Sequence, residues 1–251
     1  MTTQPPRARS FGTVAADYAR LRPDYPAVAV EWALAPTPGK VVLDLGAGTG
    51  KLTATLVTLP GVTITAVDPD PAMLAELRAL LPDVRALEGS AESIPLPDAS
   101  VDAVVAGQAW HWFEPELAYP EIARVLRPGG VLAGLWNADD PNVEWLVGMH
   151  NAGVEGRPVP SNIRAGDNSM MPEHPLFAPA ERALFPHVHP LSGVEALIDV
   201  LRTHSWALMS EPADREAAFT RIRAYLATRP EVSPDGFDLP LVTTVLRAVR
   251  R

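Results

Sequence analysis

Short apolar runs rich in β-branched residues alternate with segments of helical periodicity through the first half of the chain. Such runs are typical of strands buried on both faces, and apolar positions three and four apart are typical of the helices that cover them. This alternation favours an α/β fold with a mainly parallel sheet. The pattern predicts strands at 41–45, 62–67, 84–88, 101–106 and 131–136, and helices at 51–59, 71–81 and within 115–126.

The pattern at the two ends of the chain is less regular. Two helices, 11–21 and 28–34, are expected around a segment that contains Pro23 and Pro26. Residues 138–178 are rich in Pro, Asn, Gly and Met, and Val143 to His150 is expected to be helical within them. The remainder predicts strands at 182–189 and 239–249 and helices after 192 and at 213–228.

Three helix starts carry local signals. Asp70 followed by Pro71 is typical of an N-cap and first-turn pair. The run Ser192-Gly193-Val194-Glu195 has the spacing of a capping box. Pro120 interrupts the pattern between 115 and 126, so we expect it near the first turn of a shorter helix.

A glycine-rich turn follows the first predicted strand. The sequence Asp44-Leu45-Gly46-Ala47-Gly48-Thr49-Gly50 allows a tight turn and close approach of a ligand to the backbone. Asp68 ends the second predicted strand, where its carboxylate can accept hydrogen bonds from two adjacent hydroxyls of a ribose. These features together predict a site for a nucleotide-type cofactor.

The glycine spacing narrows the choice of cofactor. Dinucleotide sites commonly have G-x-G-x-x-G, which directs a helix N-terminus at a pyrophosphate. This chain has G-x-G-x-G, preceded by Asp44. A carboxylate is poorly placed beside a pyrophosphate, but it suits a cationic amino group or the network that holds one. A cofactor with an amino acid end is therefore favoured.

The D-x-G-x-G-x-G pattern with Asp68 resembles the class I S-adenosylmethionine-dependent methyltransferases. The resemblance covers about residues 11–137. Within the family, the chain looks like the small-molecule branch, which includes the trans-aconitate-type methyltransferases. Its further motifs are Gly89 to Leu96, Ser100 to Val105, Gln108 to Phe113 and Arg124 to Gly130.

The resemblance implies a Rossmann-like, doubly wound sheet of seven strands, mainly parallel, with helices on both faces and a helical insert that covers the substrate. It implies one domain over 1–251. Its expected parts are cofactor-covering helices at 1–38, a cofactor-binding core at 39–137, a variable insert at 138–180 and C-terminal strands and helices at 181–251.

The resemblance also implies the residues that bind S-adenosylmethionine. Arg22 would pair with the methionine carboxylate, Pro69 and Met73 would flank the adenine, and the Ala91 amide would meet the adenine ring. Surface charge for Arg22, helix packing for Met73 and capping for Glu92 stay open as alternatives. The full expected set is Tyr18, Arg22, Asp44, Gly46, Ala47, Gly48, Asp68, Pro69, Met73, Ser90, Ala91, Glu92 and Gln108.

Three aromatic residues follow the fourth predicted strand, whose carboxyl end opens onto the ligand crevice of such a sheet. Trp110 and Trp112 are expected to form an apolar wall for the substrate. His111 is the candidate catalytic base that removes a proton from the acceptor. The alternative is an aromatic packing cluster, and a carboxylate acceptor would need no base.

Composition limits the classes of partner and of chemistry that the chain can have. The 251-residue chain has a net charge of −9, which disfavours a nucleic-acid partner, and its lack of cysteine excludes thiolate chemistry. No apolar run reaches membrane-spanning length and Met1 to Ser10 lack a signal-peptide core, so we expect a cytoplasmic protein without membrane association. His187 and His189 lack nearby partners for a metal site, and Ser205 lacks the context of a hydrolase nucleophile.

The sequence therefore predicts transfer of a methyl group from S-adenosylmethionine to a small-molecule acceptor, with oxygen favoured as the methylated atom. Two alternatives remain: a noncatalytic cofactor-binding or partner-regulating protein with the same fold, and a nicotinamide-dependent oxidoreductase. No motif in the insert identifies the acceptor. Oligomeric state is also left open.

Overall fold

The computed structural model describes residues 20–154 and 170–251, which form a seven-stranded sheet in the order β3-β2-β1-β4-β5-β7-β6. The first five strands in that order are parallel, and β7 is antiparallel to both of its neighbours. The predicted mainly parallel, seven-stranded fold is confirmed. The strands are β1 Val41–Leu45, β2 Thr63–Asp68, β3 Arg85–Glu88, β4 Val101–Gly107, β5 Leu126–Asp139, β6 Glu181–Leu191 and β7 Phe237–Val249.

Helices cover both faces of the sheet. One face packs against α1 and α2, and the other packs against α4. A separate apolar cluster joins α5, α6 and α8 with the beginning of β7. The helices are α1 Ala27–Leu34, α2 Lys51–Leu56, α3 Pro71–Leu80, α4 Pro115–Val125, α5 Glu144–Val154, α6 Val194–Arg202, α7 Ser205–Met209 and α8 Pro212–Leu226.

The long strands β5, β7 and β6 extend the sheet beyond the ends of its shorter strands. The last β4 residue, Gly107, pairs with Leu135, and β5 continues for four more residues to Asp139. Its register with β7 places Asn137 opposite Thr243 and Asp139 opposite Leu241. Side chains at the carboxyl end of β5 therefore stand above the level at which β1 and β4 end.

Pro120 does not begin a shorter helix, so that prediction was wrong. Helix α4 starts with Pro115 in its first turn and continues through Pro120 to Val125. The buried face, which includes Tyr119 and Ile122, holds the helix against the sheet. Pro120 itself is exposed, so water can satisfy the carbonyl that its missing N–H leaves without a donor.

The predicted capping box before α6 was also wrong. The N-cap residue is Gly193, with φ of 141°, and no side chain in the described part of the chain caps the helix. Glu195 instead accepts two hydrogen bonds, of 2.7 and 2.8 Å, from the Arg223 guanidinium on α8. The carboxylate is used between two helices rather than at its own helix start. By contrast, Asp70 does cap α3, accepting a 2.9 Å bond from the Ala72 N–H.

Candidate functional site

The glycine-rich turn between β1 and α2 has the backbone that its sequence predicts. Gly46, Gly48 and Gly50 have φ of 70°, 55° and 89°, in the left-handed region that favours glycine. The Gly46 and Ala47 N–H groups donate to the Val67 carbonyl at 2.8 and 3.0 Å. These bonds fix the turn against the end of β2.

The two central glycines have different surroundings. A Cβ on Gly46 would lie 2.5 Å from the Ala109 Cβ and 3.5 Å from the Phe113 ring. A Cβ on Gly48 would meet no atom of the described residues within 4 Å. The residues after β4 therefore pack directly onto Gly46, while Gly48 faces open space that a ligand can enter.

Asp68 ends β2 beside this open space. Its Oδ2 accepts a 2.8 Å hydrogen bond from the Gly48 N–H, and its Oδ1 accepts a 2.9 Å bond from the Asp70 N–H. A carboxylate has about four acceptor positions, so these bonds leave capacity for two hydroxyls. Burial raises the pKa of Asp68 to about 6, against the opposing effect of the two backbone bonds.

Asp44 lies at the floor of the site and is fully buried. Its Oδ2 accepts a 2.6 Å hydrogen bond from the Thr53 hydroxyl. Burial raises the pKa of Asp44 to about 7, and the charge of Asp68 adds to the increase. Among the described residues, neither Asp44 Oδ1 nor the buried Thr49 hydroxyl has a hydrogen-bond partner.

These observations fit the cofactor that the sequence implies. Buried polar atoms without partners are rare in folded proteins. Two of those found among the described residues are Asp44 Oδ1, near the end of β1, and Thr49 Oγ1, in the turn that follows. A cationic amino group can supply the partner that Asp44 lacks, and a ribose can use the spare capacity of Asp68. The site thus has one carboxylate suited to the amino acid end of such a cofactor, that of Asp44, and one suited to its ribose, that of Asp68.

The expected adenine side is formed by β2, α3 and the segment after β3. Met73 is buried on α3 and Pro69 is half-buried. Ala91 is buried, and Ser90 pairs with Ser93 across a short bridge. Their contacts with adenine stay predictions. The Glu92 carboxylate accepts a 2.9 Å bond from the Glu114 N–H at the start of α4, which supports its alternative capping role.

The segment after β4 begins with an unusual backbone. Gln108 has φ of 54°, and its side-chain amide donates a 2.6 Å bond to the Asn137 carbonyl on β5. Trp110 is 3% exposed and packs edge-on against Phe113 and Tyr119, with ring centroids 5.4 and 5.1 Å apart. These contacts support the alternative in which Trp110 belongs to an aromatic packing cluster. Its place in a substrate wall, with the half-buried Trp112, stays a prediction.

His111 lies in the short 3-10 turn formed by residues 110–112. Its ring centroid is 4.8 Å from that of Trp112, and part of the residue faces solvent. Partial burial lowers the pKa of His111, and the positive charge of Arg22 lowers it further. The imidazole is therefore neutral at pH 7 and can accept a proton. Its catalytic role stays a prediction.

Residues 22–26 lie across the carboxyl edge of the sheet. The Arg22 guanidinium donates a 2.9 Å bond to the Thr203 carbonyl after α6. Asp24 pairs with Lys51 at 3.0 Å, and its carbonyl accepts a 3.1 Å bond from the Asn137 amide. Arg22 is thus held within the protein rather than on a helix surface, while its pairing with the cofactor stays a prediction. Tyr18 lies outside the described residues.

A polar group at the carboxyl end of β5 was not predicted from the sequence. The Thr243 hydroxyl donates a 2.6 Å bond to Asn137 Oδ1, and His150 Nε2 lies 2.7 Å from Asp139 Oδ2. Asn137 and Asp139 are two positions apart on β5, so both side chains lie on one face. The only available signal was the polar sequence that follows the apolar part of this strand.

No group of three or more His, Cys, Asp or Glu side chains suited to a metal ion occurs in residues 20–154 and 170–251. Within that same part of the chain, no helix combines the length and the apolar character needed to cross a membrane.

Comparisons with known proteins show the family to which the chain is related. Residues 43–134 match the family described as "Methyltransferase domain". An uncharacterized methyltransferase of Mycobacterium tuberculosis is 44% identical over 241 residues, which are 95% of each chain. A malonyl-[acyl-carrier protein] O-methyltransferase of Methylococcus capsulatus is 42% identical over 105 residues, covering 40% of this chain and 38% of the relative.

A solved structure extends the comparison to the whole fold. A protein described as a type II methyltransferase, from Anaeromyxobacter dehalogenans, aligns with a TM-score of 0.63 and 26% identity over 91% of this chain and 97% of its own. The related sequences and the fold therefore agree. The chain belongs to the class I S-adenosylmethionine-dependent methyltransferases.

Proposed function

We propose that this methyltransferase transfers the methyl group of S-adenosylmethionine to an oxygen atom of a small, partly apolar molecule, and that His111 accepts the proton. The observation that carries the proposal is the packing of the segment after β4 on the glycine turn. Ala109 and Phe113 contact the space above Gly46, so His111, between them in sequence, is held beside the cofactor turn.

The proton is the reason for favouring a base. The bound cofactor supplies an electrophilic methyl group, whose C–S bonding pair stays with sulfur as the acceptor oxygen forms its new bond to carbon. A hydroxyl acceptor must also lose its proton, and a neutral imidazole is suited to take it. The lowered pKa of His111 keeps that imidazole neutral without a separate deprotonation step. Positioning and exclusion of water supply the rest of the catalysis.

The small, partly apolar acceptor follows from the composition of the site and of the surface. Trp112 and Phe113 are half-buried next to His111 and offer apolar surface to a ligand. The net charge of −9 disfavours a polyanionic nucleic acid. The Methylococcus capsulatus relative is named as an O-methyltransferase, and its match lies over part of the chain only. That name supports oxygen chemistry and leaves the acceptor itself to experiment. The cytoplasmic location predicted from the sequence remains part of this proposal.

The test uses cofactor with a deuterated methyl group and a matched panel of aromatic acceptors. Each ring carries a phenol, a benzylic alcohol, a carboxylic acid or an amine, and mass spectrometry identifies the labelled product. We expect label on oxygen, with kcat reduced about 100-fold in His111→Asn because a general base contributes on that order or more. His174→Asn, a half-buried histidine stacked on Tyr119, is the control. Label confined to the amines would contradict the proposal.

A further inference from the structure

Gln108 lies at the point where the chain leaves β4. The pairing of β4 with β5 ends at Gly107 and Leu135, and the next N–H, that of Gln108, donates a 2.9 Å hydrogen bond to the Leu135 carbonyl. Gln108 then has φ of 54°, in the left-handed region that few residues other than glycine adopt. The backbone therefore turns away from β5 at this residue.

The side chain of Gln108 continues the pairing that its backbone leaves. Carbonyls two residues apart on a strand point to the same side, so the Asn137 carbonyl faces the same side as that of Leu135, beyond the end of β4. Gln108 Nε2 donates a 2.6 Å bond to it. Because a carbonyl only accepts, the group that faces it is the amide NH₂ and not the amide oxygen. Two bonds to β5 thus offset the cost of the left-handed backbone.

Asn137 is a firmly held partner for this amide. Its Oδ1 accepts a 2.6 Å bond from the hydroxyl of Thr243, which is fully buried and pairs directly with Asn137 across β5 and β7. Its Nδ2 donates a 3.1 Å bond to the Asp24 carbonyl. The carbonyl that binds Gln108 therefore belongs to a residue that is fixed by a neighbouring strand and by a segment from the start of the chain.

The residues that follow Gln108 lie directly on the cofactor turn. A Cβ on Gly46 would be 2.5 Å from the Ala109 Cβ and 3.5 Å from the Phe113 ring. Two backbone bonds, of 2.9 and 3.0 Å, close residues 109–113 into one compact turn. The conformation of Gln108 therefore sets where this turn, which includes the candidate base, lies relative to Gly46.

We propose that Gln108 is a positioning residue for methyl transfer, because its side-chain amide, bound to the Asn137 carbonyl, holds residues 109–113 where His111 reaches the acceptor. The inference rests on the proposed role of His111. It differs from the cofactor contact that the family resemblance implies for Gln108, since the amide is directed at β5. Loss of the bond lets the turn shift, and a displacement of about 1 Å can cost on the order of 100-fold in rate.

Three substitutions separate the amide from the backbone conformation. Gln108→Met keeps the side-chain length without the donor, Gln108→Gly adopts positive φ without strain and also lacks the donor, and Gln108→Glu presents an oxygen to the Asn137 carbonyl. We expect kcat for the hydroxyl acceptors of the panel to fall about 30-fold in the first two. KM and S-adenosylhomocysteine affinity should stay within about threefold. Asn151→Asp, at an exposed amide on α5, is the control for the amide-to-acid change.

Two outcomes of this comparison overturn the inference. Wild-type kcat in Gln108→Gly would show that only the backbone angle matters. Weakened S-adenosylhomocysteine binding with retained kcat would show that Gln108 contacts the cofactor instead. Urea denaturation of each variant confirms that the rates refer to folded protein.

The pH dependence of Gln108→Glu tests the hydrogen bond itself. At pH 8 the new carboxylate and the Asn137 carbonyl are both acceptors and repel each other, whereas the protonated acid donates its O–H to that carbonyl. We expect kcat, divided by the wild-type value at the same pH, to rise about tenfold from pH 8 to pH 5.5. The division removes the titration of His111, and a loss of stability alone does not produce such a rise. A ratio that stays constant overturns the inference.

A double variant tests whether Gln108 acts through His111. If it does, Gln108→Met combined with His111→Asn should have nearly the kcat of His111→Asn alone. Losses that multiply would show that the two residues act independently, which overturns the inference and leaves the proposed function intact. An unimpaired His111→Asn, or label confined to amines, overturns the proposed function.

A spectroscopic measurement detects the hydrogen bond without any acceptor. The chain has two glutamines, Gln4 and Gln108, so the NMR signals of the Gln108 amide are those absent from Gln108→Met. We expect its hydrogen exchange in the full chain to be about tenfold slower than that of glutamine in a short peptide, with and without S-adenosylhomocysteine. Exchange as fast as in the peptide, or slowed only by the ligand, overturns the inference.

Discussion

The two halves of the carboxyl edge are built in different ways. The donor half, around Gly48 and Asp68, uses residues close in sequence and many backbone groups, such as the Gly48 N–H that binds Asp68. The proposed acceptor half depends on side chains from different strands and helices, such as Asn137 with Thr243 and Asp139 with His150. A backbone-built site tolerates few local changes, whereas a side-chain-built site can change its ligand by substitution. This difference explains why one half identifies a cofactor and the other leaves the acceptor open.

The largest expected effect comes from the glycine turn. Gly46→Val should abolish measurable binding of S-adenosylhomocysteine and lower the free energy of unfolding by about 3 kcal/mol, because a bulky residue is strained at positive φ and also clashes. The clash is with the Ala109 Cβ, 2.5 Å from the new Cβ. Calorimetry and urea denaturation measure the two effects.

Gly48→Ala is the matched comparison within the same turn. Within residues 20–154 and 170–251 its Cβ would meet no atom closer than 4 Å, so we expect the stability loss to be limited to backbone strain. That strain is about 1–2 kcal/mol. Binding should nevertheless weaken about tenfold or more, because the methyl group enters the ligand space. Wild-type affinity in this variant would show that the cofactor lies elsewhere.

The next effect concerns pH and is confined to the donor half. Asp44 has a pKa of about 7 and Asp68 one of about 6 in the free protein, both raised by burial. A ligand with a cationic amino group favours ionised Asp44, so affinity for S-adenosylhomocysteine should rise about tenfold from pH 6 to pH 8. Asp44→Asn should remove most of this rise and leave the smaller one, at lower pH, that belongs to Asp68. If the pH dependence of affinity is the same in Asp44→Asn as in wild type, Asp44 does not bind the amino group of the ligand.

The same two groups affect folding with a defined sign. Their folded-state pKa values lie above the unfolded value of 3.8, so the folded chain binds more protons between pH 4 and about 7. Their contribution to the free energy of unfolding therefore falls as pH rises through that range and stays low above it. Urea denaturation of wild type and Asp44→Asn without ligand measures the difference, and a wild-type contribution that rises with pH would contradict it.

The smallest expected effect lies in the acceptor half. Thr243→Val removes the 2.6 Å bond to Asn137 Oδ1 while preserving side-chain shape. We expect a loss of about 1 kcal/mol in the free energy of unfolding, because the amide oxygen loses a partner. Affinity for S-adenosylhomocysteine should stay within about twofold, while kcat/KM for the acceptor falls. A larger effect on cofactor binding than on turnover would mean that the two halves are not independent.

Most of the fold and much of the donor half follow from the sequence. The strand at 41–45 and the turn with Gly46, Gly48 and Gly50 are formed by local interactions, which sequence periodicity and residue type report directly. Membership of the methyltransferase family also decides against the nicotinamide-dependent alternative. The G-x-G-x-G spacing and Asp44 favour the same choice, S-adenosylmethionine over a nicotinamide dinucleotide.

The predictions that were wrong or absent concern features that depend on tertiary contacts. Pro120 remains inside α4 because the apolar face of the helix outweighs one lost backbone bond, and Glu195 binds Arg223 on α8 instead of capping α6. The Asp139–His150 pair joins a strand end to a helix through a side-chain contact that no periodicity encodes. Acceptor-side residues of this kind require the folded arrangement before they can be recognised.

The most direct test of the account is calorimetric titration of S-adenosylhomocysteine into wild type, Asp68→Asn and Asp102→Asn. Asp102 is a matched control, since it is also buried and accepts a backbone bond, from Val41, but lies at the opposite edge of the sheet. We predict binding by wild type and Asp102→Asn, and about 100-fold weaker binding by Asp68→Asn, because hydrogen bonds to a charged group are lost. No binding by wild type, or undiminished binding by Asp68→Asn, would contradict the account.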